Sequence, residues 1–409
     1  MASFSIALTG LQANTIALNT IGNNLANMNT TAFKKQSTTF EDLFYQQIGT
    51  SGSNNPLQVG VGTKVSGTAT NFLQGSTSTT AKSTDMAIRG DGFFVVQQGG
   101  VQSLTRAGNF QLDSSGNLTT VNGEQVMGYP ASGGVVNANA GLVPLTVPIG
   151  VNQAAQATQN FSVTANLDAG ATTGTQYTTP VKMYDSLGSS HQATVTYTKT
   201  GANTWDYAVT LPAGEATGAP VNNTGTLTFD SAGKLVTPAA NVAGIQFPAL
   251  ADGASDLSFN WNLYNSNGVA TIGQSSAASS GTAQFQDGFP SGTYQSFTVD
   301  ANGVISASFS NGNTTNIGQV AVAKVTNTEG LVMTGNNNYM TTSASGAASI
   351  GVAGAGGRGT IQDSALELSN VDISTEFADL IIAQRAFQAN SKTVTTFDSV
   401  TQDTIAMIR

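Results

Sequence analysis

The chain has 409 residues, 14 Lys plus Arg against 23 Asp plus Glu, a formal charge of −9 and no Cys. With 39% hydrophobic residues it can bury real cores, and its length predicts about two to four domains. The absence of Cys excludes disulfides, thiolate nucleophiles and zinc–thiolate sites, and so few cations argue against nucleic acid as a partner, because each phosphate contact needs one. No segment predicts membrane insertion, and the start lacks the basic and long apolar regions of a cleaved Sec signal.

The amino-terminal segment has the seven-residue apolar spacing of a helix that packs along another helix. Counting in sevens from Phe4 meets a leucine at each of the next three steps, and a second apolar line runs beside the first. This pattern extends over nearly four heptads and predicts a helix within residues 1–30. The predicted seam consists of Phe4, Leu8, Leu11, Leu18, Ile21, Leu25 and Met28.

The long middle of the chain predicts strands. Segments such as 92–97, 193–198 and 319–325 are rich in Val, Thr and aromatic residues and are bounded by Gly, Asn and Ser. Low-complexity stretches divide this β-rich region into blocks. We predict nested β-rich domains of barrel or sandwich type: a connecting segment at 31–80, an inner β domain made of 81–150 and 284–362, and an outer β domain at 151–283.

A nine-residue pattern, apolar-x-x-Asp-x-x-Gly-x-apolar, occurs three times, with its carboxylates at Asp113, Asp230 and Asp300. The carboxylate can accept hydrogen bonds from turn amides, and the Gly can adopt a positive φ, so the pattern predicts three hairpin turns. Calcium binding is the alternative. These loops lack the dense Asp/Asn ladder and the bidentate Glu of an EF-hand, so we favour turns.

Little in the sequence predicts an enzyme, a metal site or a cofactor. The single His, His191, lies in a Thr-rich alternating stretch and is predicted to be a surface strand residue rather than a catalyst. Arg89-Gly90-Asp91 abuts a predicted strand and is interpreted as a turn. No G-x-S-x-G, P-loop or H-E-x-x-H motif is present. A catalytic carboxylate pair, as in a glycosidase, depends on a distance that sequence does not give, and it stays as an alternative.

The carboxy-terminal segment predicts a second, longer helix. The seven-residue count from Ile373 continues to the end of the chain, which gives about 35 residues, or ~50 Å at the rise of a helix. Asp372 or Ser374 can cap its start. Its predicted seam consists of Ile373, Phe377, Leu380, Phe387, Val394, Phe397, Ile405 and Ile408.

Two seamed helices at opposite ends of a β-rich chain predict a mainly β protein with terminal α-helices. The economical explanation is an α-helical coiled-coil inner domain, residues 1–30 plus 363–409, whose helices pack on each other and on copies of themselves. The alternative is that each helix covers the β core of its own monomer, since amphipathic helices of this kind are common.

Two segments resemble a known family. Residues 23–34, Asn-Asn-Leu-Ala-Asn-Met-Asn-Thr-Thr-Ala-Phe-Lys, resemble the signature shared by flagellar rod and hook proteins, except that Ala32 stands where the family usually has Gly. Residues 365–392 are similar to the carboxy-terminal run of flagellar hook proteins, and shorter stretches that begin at Thr105, Tyr184 and Gln286 agree. The signature residues are Asn23, Asn24, Leu25, Ala26, Asn27, Phe33 and Lys34.

The resemblance implies a structural subunit of the bacterial flagellar hook, not an enzyme. Such subunits self-assemble into a flexible helical tube that transmits torque from rod to filament, with the terminal helices lining the tube and nested β domains outside. The outer block at 151–283 favours the hook over the main alternative, a distal rod subunit of the basal body, because rod proteins lack that domain. A secreted β-rich adhesin or fibre protein is a more distant alternative.

The resemblance also implies partners and a location. The partners are other copies of the chain, the distal rod, hook cap and hook–filament junction proteins, and the flagellar type III export apparatus. The location is extracellular, in the flagellum, after export without a cleaved Sec signal. Phe4 and Leu8 match the aromatic-x-x-x-apolar pattern read by the export gate and form a candidate export signal, although they serve the helical seam equally well.

Overall fold

The computed structural model describes residues 2–50, 52 and 55–407. Its helices are α1 (Ala2–Ala26) and α2 (Ile373–Met407), with a short 3-10 turn at Thr328–Gly330. The first strands are β1 (Gln36–Asp42), β2 (Tyr45–Thr50), β3 (Pro56–Gly60), β4 (Thr63–Thr70), β5 (Thr77–Thr79), β6 (Met86–Arg89), β7 (Phe93–Gln98), β8 (Val101–Thr105), β9 (Gln111–Leu112), β10 (Leu118–Thr119), β11 (Gln125–Ser132), β12 (Val135–Val136) and β13 (Val143–Pro144).

The remaining strands follow without a further α-helix until α2 in the described part of the chain. They are β14 (Asn152–Gln153), β15 (Asn160–Asp168), β16 (Gln176–Tyr184), β17 (Ser190–Gly201), β18 (Thr204–Thr210), β19 (Thr224–Phe229), β20 (Leu235–Thr237), β21 (Val242–Phe247), β22 (Leu257–Trp261), β23 (Ile272–Ser275), β24 (Ser280–Gln286), β25 (Gly292–Val299), β26 (Val304–Phe309), β27 (Thr314–Lys324), β28 (Val332–Gly335), β29 (Asn338–Met340), β30 (Ser349–Val352), β31 (Thr360–Asp363) and β32 (Ala365–Glu367). The predicted fold class, mainly β with terminal helices, is confirmed.

The chain divides into two compact units. The first unit comprises Met1–Pro148, Phe297–Ala307 and Thr315–Arg409, and the second comprises Ile149–Ser296 and Ser308–Thr314. The second unit contains the whole of the predicted outer block and extends beyond it at both ends. The finer division of the first unit into helical, connecting and inner β domains stays a prediction.

The second unit contains two five-stranded sheets that share one hydrophobic core. One sheet is an antiparallel meander in the order β16-β17-β18-β19-β20, and the other has the order β21-β22-β15-β23 with β24 paired to β15. Burial alternates along β17, as expected for a strand with one face on a core. The core contains the fully buried side chains of Phe161, Tyr197, Trp205 and Trp261. This arrangement is of the sandwich type.

The first unit is built on the strand order β27-β11-β7-β8-β29-β28. Phe93, Tyr339 and Met127 belong to its core, and Phe72 packs with its ring 5.3 Å from that of Tyr339. Four two-stranded antiparallel ladders complete the unit: β1 with β4, β2 with β3, β6 with β31 and β5 with β32. The last two ladders pair strands within residues 77–89 with strands within residues 360–367, so the first unit is built from both the amino-terminal and the carboxy-terminal part of the chain.

The three predicted Asp turns are confirmed and share one geometry. In each, Asp Oδ1 accepts hydrogen bonds from the amides two and four residues later, as at Asp230, where Ala232 and Lys234 donate at 2.9 and 2.8 Å. Gly233 has a φ of 77°, a conformation that Gly adopts readily. A fourth copy, at Asp185, escaped the sequence pattern because Lys and Ser replace its flanking apolar residues.

The prediction that His191 lies on the surface is wrong. His191 is 6% exposed because the inward positions of β17 are its odd-numbered residues, and His191 occupies the first of them. The carboxylates of Asp185 and Glu215 contact its ring, whereas the next inward residues of β17 belong to the apolar core. By contrast, residues 90 and 91 form a bend between β6 and β7, as interpreted, with a φ of 98° at Gly90, whereas Arg89 is the last residue of β6 and pairs with Thr360. Neither helix, within the described residues, has the length and hydropathy needed to cross a membrane.

Candidate polymer interface

Helices α1 and α2 pack against each other as an antiparallel pair. Gly10 meets Asn390, and 14 positions later in α1 Asn24 meets Glu376, which lies 14 positions earlier in α2. A Cβ on Gly10 would lie 2.9 Å from Asn390 Oδ1, so the helices approach closely at this point. By the same register Ala2 lies level with Asp398, and about nine residues of α2, roughly 13 Å at 1.5 Å per residue, extend past the described start of α1.

Small residues, not leucines, form the centre of this helix contact. The buried positions of α1 are Ala7, Gly10, Ala13, Ala17, Thr20 and Asn24, and those of α2 are Glu376 and Ala383. Positions 10, 17 and 24 are seven apart, as are 376, 383 and 390, so the heptad spacing is present. The buried line at positions 10, 17 and 24 therefore lies one residue before the leucine line at 11, 18 and 25 that the sequence predicts.

A polar lock joins the carboxy-terminal end of α1 to the beginning of α2. Asn24 Nδ2 donates to Gln36 O at 2.7 Å and to Glu376 Oε2 at 3.1 Å, and Asn24 Oδ1 accepts from the Gln36 amide. Lys35 Nζ lies 2.6 Å from Glu376 Oε1. Asp372 caps α2 by accepting from the Thr375 amide at 2.7 Å, which confirms the first of the two predicted caps and lowers the pKa of the Asp372 carboxyl. The lock ties the end of α1 and the start of β1 to the first turn of α2.

Lys34, the last residue of the family signature, belongs to a buried charge cluster. Lys34 Nζ contacts Glu367 Oε1 at 2.5 Å and donates to Leu73 O, while Arg106 Nε lies 3.1 Å from Glu367 Oε2. The side chains of Lys34 and Glu367 are fully buried, and Arg106 is 5% exposed. Burial lowers the pKa of Lys34, while the adjacent Glu367 acts in the opposite direction. One carboxylate therefore holds together three chain segments that are distant in sequence.

Ala32, where the sequence departs from the signature, has a φ of 57° and is fully buried. The left-handed conformation explains why Gly is usual there, since Gly has no Cβ to clash. The other signature residues serve the end of α1: Asn27 Nδ2 donates to Asn23 O at 2.9 Å, and Phe33 is 6% exposed. Leu25 is half-buried and Ala26 is exposed.

None of the predicted seam residues that the structure describes is fully buried. The exposed ones are Phe4, Leu8, Met28, Ile373, Phe377, Phe387 and Ile405, and the half-buried ones are Leu11, Leu18, Ile21, Leu25, Leu380, Val394 and Phe397. Met28 lies beyond the end of α1, and Ile408 lies outside the described residues. Their role in a polymer interface stays a prediction. The same surface includes residues that the seven-residue count missed, namely Ile16, Ile381, Ile382, Val400 and Met407.

A second exposed apolar surface lies in residues 31–80, which we predict from the sequence only as a connecting segment. Neither β2 nor β3 contains a buried residue, and the exposed side chains of these strands and of the residue before β2 include Phe44, Tyr45, Ile48 and Leu57. Phe44 is 71% exposed. The available signal was Leu57-Gln-Val59, an apolar alternation typical of a strand with one face covered.

Comparison with known proteins identifies the family. Models described as flagella basal body rod protein, flagellar hook protein FlgE/F/G D1 domain, flagellar basal body protein FlaE D2 domain and flagellar basal body rod FlgEFG protein C-terminal match residues 4–34, 87–166, 164–289 and 362–407. The chain is similar to flagellar hook proteins FlgE of Treponema pallidum (32% identity, 100% of both chains), Salmonella typhimurium (33%, 97% of this chain and 98% of the other) and Escherichia coli K12 (34%, 97% and 98%).

The fold is shared with a solved structure as well. The crystal structure of Helicobacter pylori flagellar hook protein FlgE2 aligns with a TM-score of 0.54 at 17% identity, over 70% of this chain and 99% of that one. The matched models define the class, the axial proteins of the bacterial flagellum. Identity above 30% over whole chains defines the member: this chain belongs to the flagellar hook protein family. The hook prediction is confirmed, and the distal rod alternative is not favoured.

Proposed function

We propose that this chain is the subunit of a flexible helical tube, the flagellar hook, and that it works by self-assembly rather than by catalysis. The family is a structural one, and membership of it implies homopolymerisation. The observation that carries the proposal is the exposed apolar surface of α1 and α2, which the rest of the described chain leaves uncovered. Large apolar side chains exposed in this number on two helices point to an interaction site.

The surface has the character needed for an open polymer. Phe4 and Phe377 are 48% and 51% exposed, and Ile382 is 66% exposed, so covering each one contributes about 1 kcal/mol of burial. The stretch of α2 past Asp398 carries three exposed apolar residues, Val400, Ile405 and Met407. A head-to-tail contact that does not close on itself produces a helical filament.

The proposal extends to partners and location. The distal rod, hook cap and hook–filament junction proteins would contact the ends of the tube, and the flagellar type III apparatus would deliver the chain to an extracellular position without a cleaved Sec signal. Phe4 and Leu8, exposed in the first turns of α1, suit a short segment read by the export gate. The terminal helices would line the tube, with β domains facing outward.

A matched pair of variants tests self-assembly. Phe377→Asp places a charge on the proposed interface, and Ser374→Asp places the same charge one turn earlier, where the side chain is exposed and polar. Neither residue is buried in the monomer, so circular dichroism should show the native fold for both variants. We expect negative-stain electron microscopy and sedimentation to show curved tubes for the unaltered chain and for Ser374→Asp, and none for Phe377→Asp.

Three results would contradict the proposal. Equal polymerisation of the two variants would remove the interface from this face of α2. Straight, rigid tubes from the unaltered chain would favour a rod subunit. A chain that stays monomeric even with preformed hook fragments as seeds would favour the adhesin interpretation.

A further inference from the structure

Three loops of the second unit bring one imidazole and three carboxylates together. Asp185 follows β16, His191 begins the inward face of β17, Glu215 lies between β18 and β19, and Asp252 lies between β21 and β22. His191 Nε2 is 3.0 Å from Asp185 Oδ2 and 3.7 Å from Asp252 Oδ2. His191 Nδ1 is 2.8 Å from Glu215 Oε2. The cluster contains the only His of the chain.

Two of the three carboxylates, those of Asp185 and Asp252, accept backbone hydrogen bonds through Oδ1, and the Oδ2 atom of each lies toward the imidazole. Asp185 Oδ1 accepts hydrogen bonds from the amides of Leu187 and Ser189 at 2.8 and 2.9 Å, as in the other Asp turns. The Oδ1 atom of Asp252 accepts from the amide two residues later at 3.1 Å. The two Oδ2 atoms and Nε2 thus converge, and these three atoms lie within 4.8 Å of one another.

Glu215 contacts the other side of the His191 ring, with its Oε2 atom 2.8 Å from Nδ1. A neutral ring protonated on Nδ1 would donate to Glu215 and turn its Nε2 lone pair toward Asp185 and Asp252. A carboxylate behind the imidazole, with the other nitrogen aimed at two further oxygens, is the arrangement that orients histidine ligands in metal sites. Glu215 is a positioning residue in this scheme.

The spacing and the charge both suit a small divalent cation. Bonds of about 2.0–2.1 Å to Zn²⁺ in tetrahedral geometry require ligand atoms roughly 3.3 Å apart, and the two measured separations, 3.0 and 3.7 Å, lie on either side of that value. Three carboxylates face one imidazole, and none of the ion pairs among residues 2–50, 52 and 55–407 brings a Lys or Arg to them. A divalent cation would balance that excess of negative charge.

We propose that Asp185, His191 and Asp252 bind a divalent transition metal of the zinc type, with Glu215 orienting the imidazole and water completing the coordination. One nitrogen and two oxygen ligands favour Zn²⁺ over Ca²⁺ or Mg²⁺, which prefer oxygen alone. The side chains of Asp252 and Glu215 are 31% and 34% exposed, which gives the ion a route from solvent. The ion ties the turn after β16 to the loop before β22 and stabilises the second unit, because a ligand that binds only the folded state raises its stability.

The test uses the full chain labelled with ¹⁵N in its histidine ring. Because His191 is the only His, its two ring nitrogens give unambiguous signals. Addition of ZnCl₂ at neutral pH should move the Nε2 signal to a metal-bound position while Nδ1 stays protonated. Calorimetry should show one Zn²⁺ per chain, and the unfolding transition reported by Trp205 and Trp261, both in the core of this unit, should rise in temperature.

Variants separate binding at this site from binding elsewhere. Asp252→Asn removes a ligand at a partly exposed position, and we expect no saturable binding, whereas Glu215→Gln should weaken affinity by about 10–100-fold. Asp206→Asn, an exposed carboxylate on β18 of the same unit, is the control and should bind like the unaltered chain. The proposal is overturned if millimolar zinc produces no saturable binding, if the Asp252 variant binds as tightly as the control, or if the ring remains an imidazolium held only by carboxylates in the presence of zinc.

Discussion

Replacing Glu367 with Gln tests whether the buried charge cluster holds the first unit together. Glu367 contacts Lys34 at 2.5 Å and Arg106 at 3.1 Å, and its side chain is fully buried. The substitution keeps the size of the side chain but leaves two buried cations without a counter-charge. Removing one partner of a buried ion pair destabilises a protein by about 3–5 kcal/mol, a large fraction of a total of about 5–15 kcal/mol.

The chain supplies a matched control and a reporter for each unit. Glu41 forms an ion pair of nearly the same length, 2.6 Å with Lys64, but its side chain is 43% exposed, so Glu41→Gln should change stability by about 0–1 kcal/mol.

Both helices lie in the first unit and both Trp residues lie in the second. In urea unfolding, Glu367→Gln should shift the helical circular dichroism transition and leave the Trp fluorescence transition unchanged. A shift no larger than that of Glu41→Gln would refute the reasoning.

Two further predictions concern the same unit. Ala32 has a φ of 57°, so Ala32→Gly should change the free energy of unfolding by less than about 1 kcal/mol. Ala32→Val places a β-branched side chain in the left-handed region and should lower that free energy by about 2 kcal/mol or more. Equal urea midpoints for the two variants would contradict this prediction. Burial raises the pKa of Tyr339 to about 12, while an unfolded phenol ionises near 10, so up to about 2.7 kcal/mol of stability should be lost between pH 10 and pH 12. The pH dependence of the urea midpoint should flatten in Tyr339→Phe, and an unaltered slope would show that another group is responsible.

The features that local sequence determines were predictable. The bounds of α2, its Asp372 cap and the three Asp turns all follow from residues within a few positions of one another. The lock between Asn24 and Glu376 and the cluster around Glu367 were not predictable, because their partners are hundreds of positions apart and each side chain taken alone has the character of a surface residue. His191 was missed for a different reason: its partners are closer in sequence, but a single polar ring in a Thr-rich stretch has the character of a surface residue.

The leucine line illustrates a different limit. A seven-residue apolar count shows which residues favour burial, but it does not show whether the same chain or a copy covers them. Close approach at Gly10 depends on what faces it, and only the structure places Asn390 there. The β2–β3 hairpin was missed for a similar reason. Its two strands are exposed in the monomer, and the sequence alone does not show what would cover them.

The use of small residues where α1 meets α2 has an energetic consequence. Gly10, Ala17 and Ala383 bury little apolar area, so this contact contributes much less free energy than a seam of leucines would. The pair therefore depends on the polar lock at its base. The part of α2 past Asp398 extends beyond the described start of α1, and a helical segment without packing is marginally stable in water. Under the proposed function, the large side chains left free, among them Phe377 and Ile382, are covered only by neighbouring subunits. The part of α2 past Asp398, where Val400, Ile405 and Met407 are exposed, would then gain its packing when a subunit joins the tube, which would couple helix order to assembly.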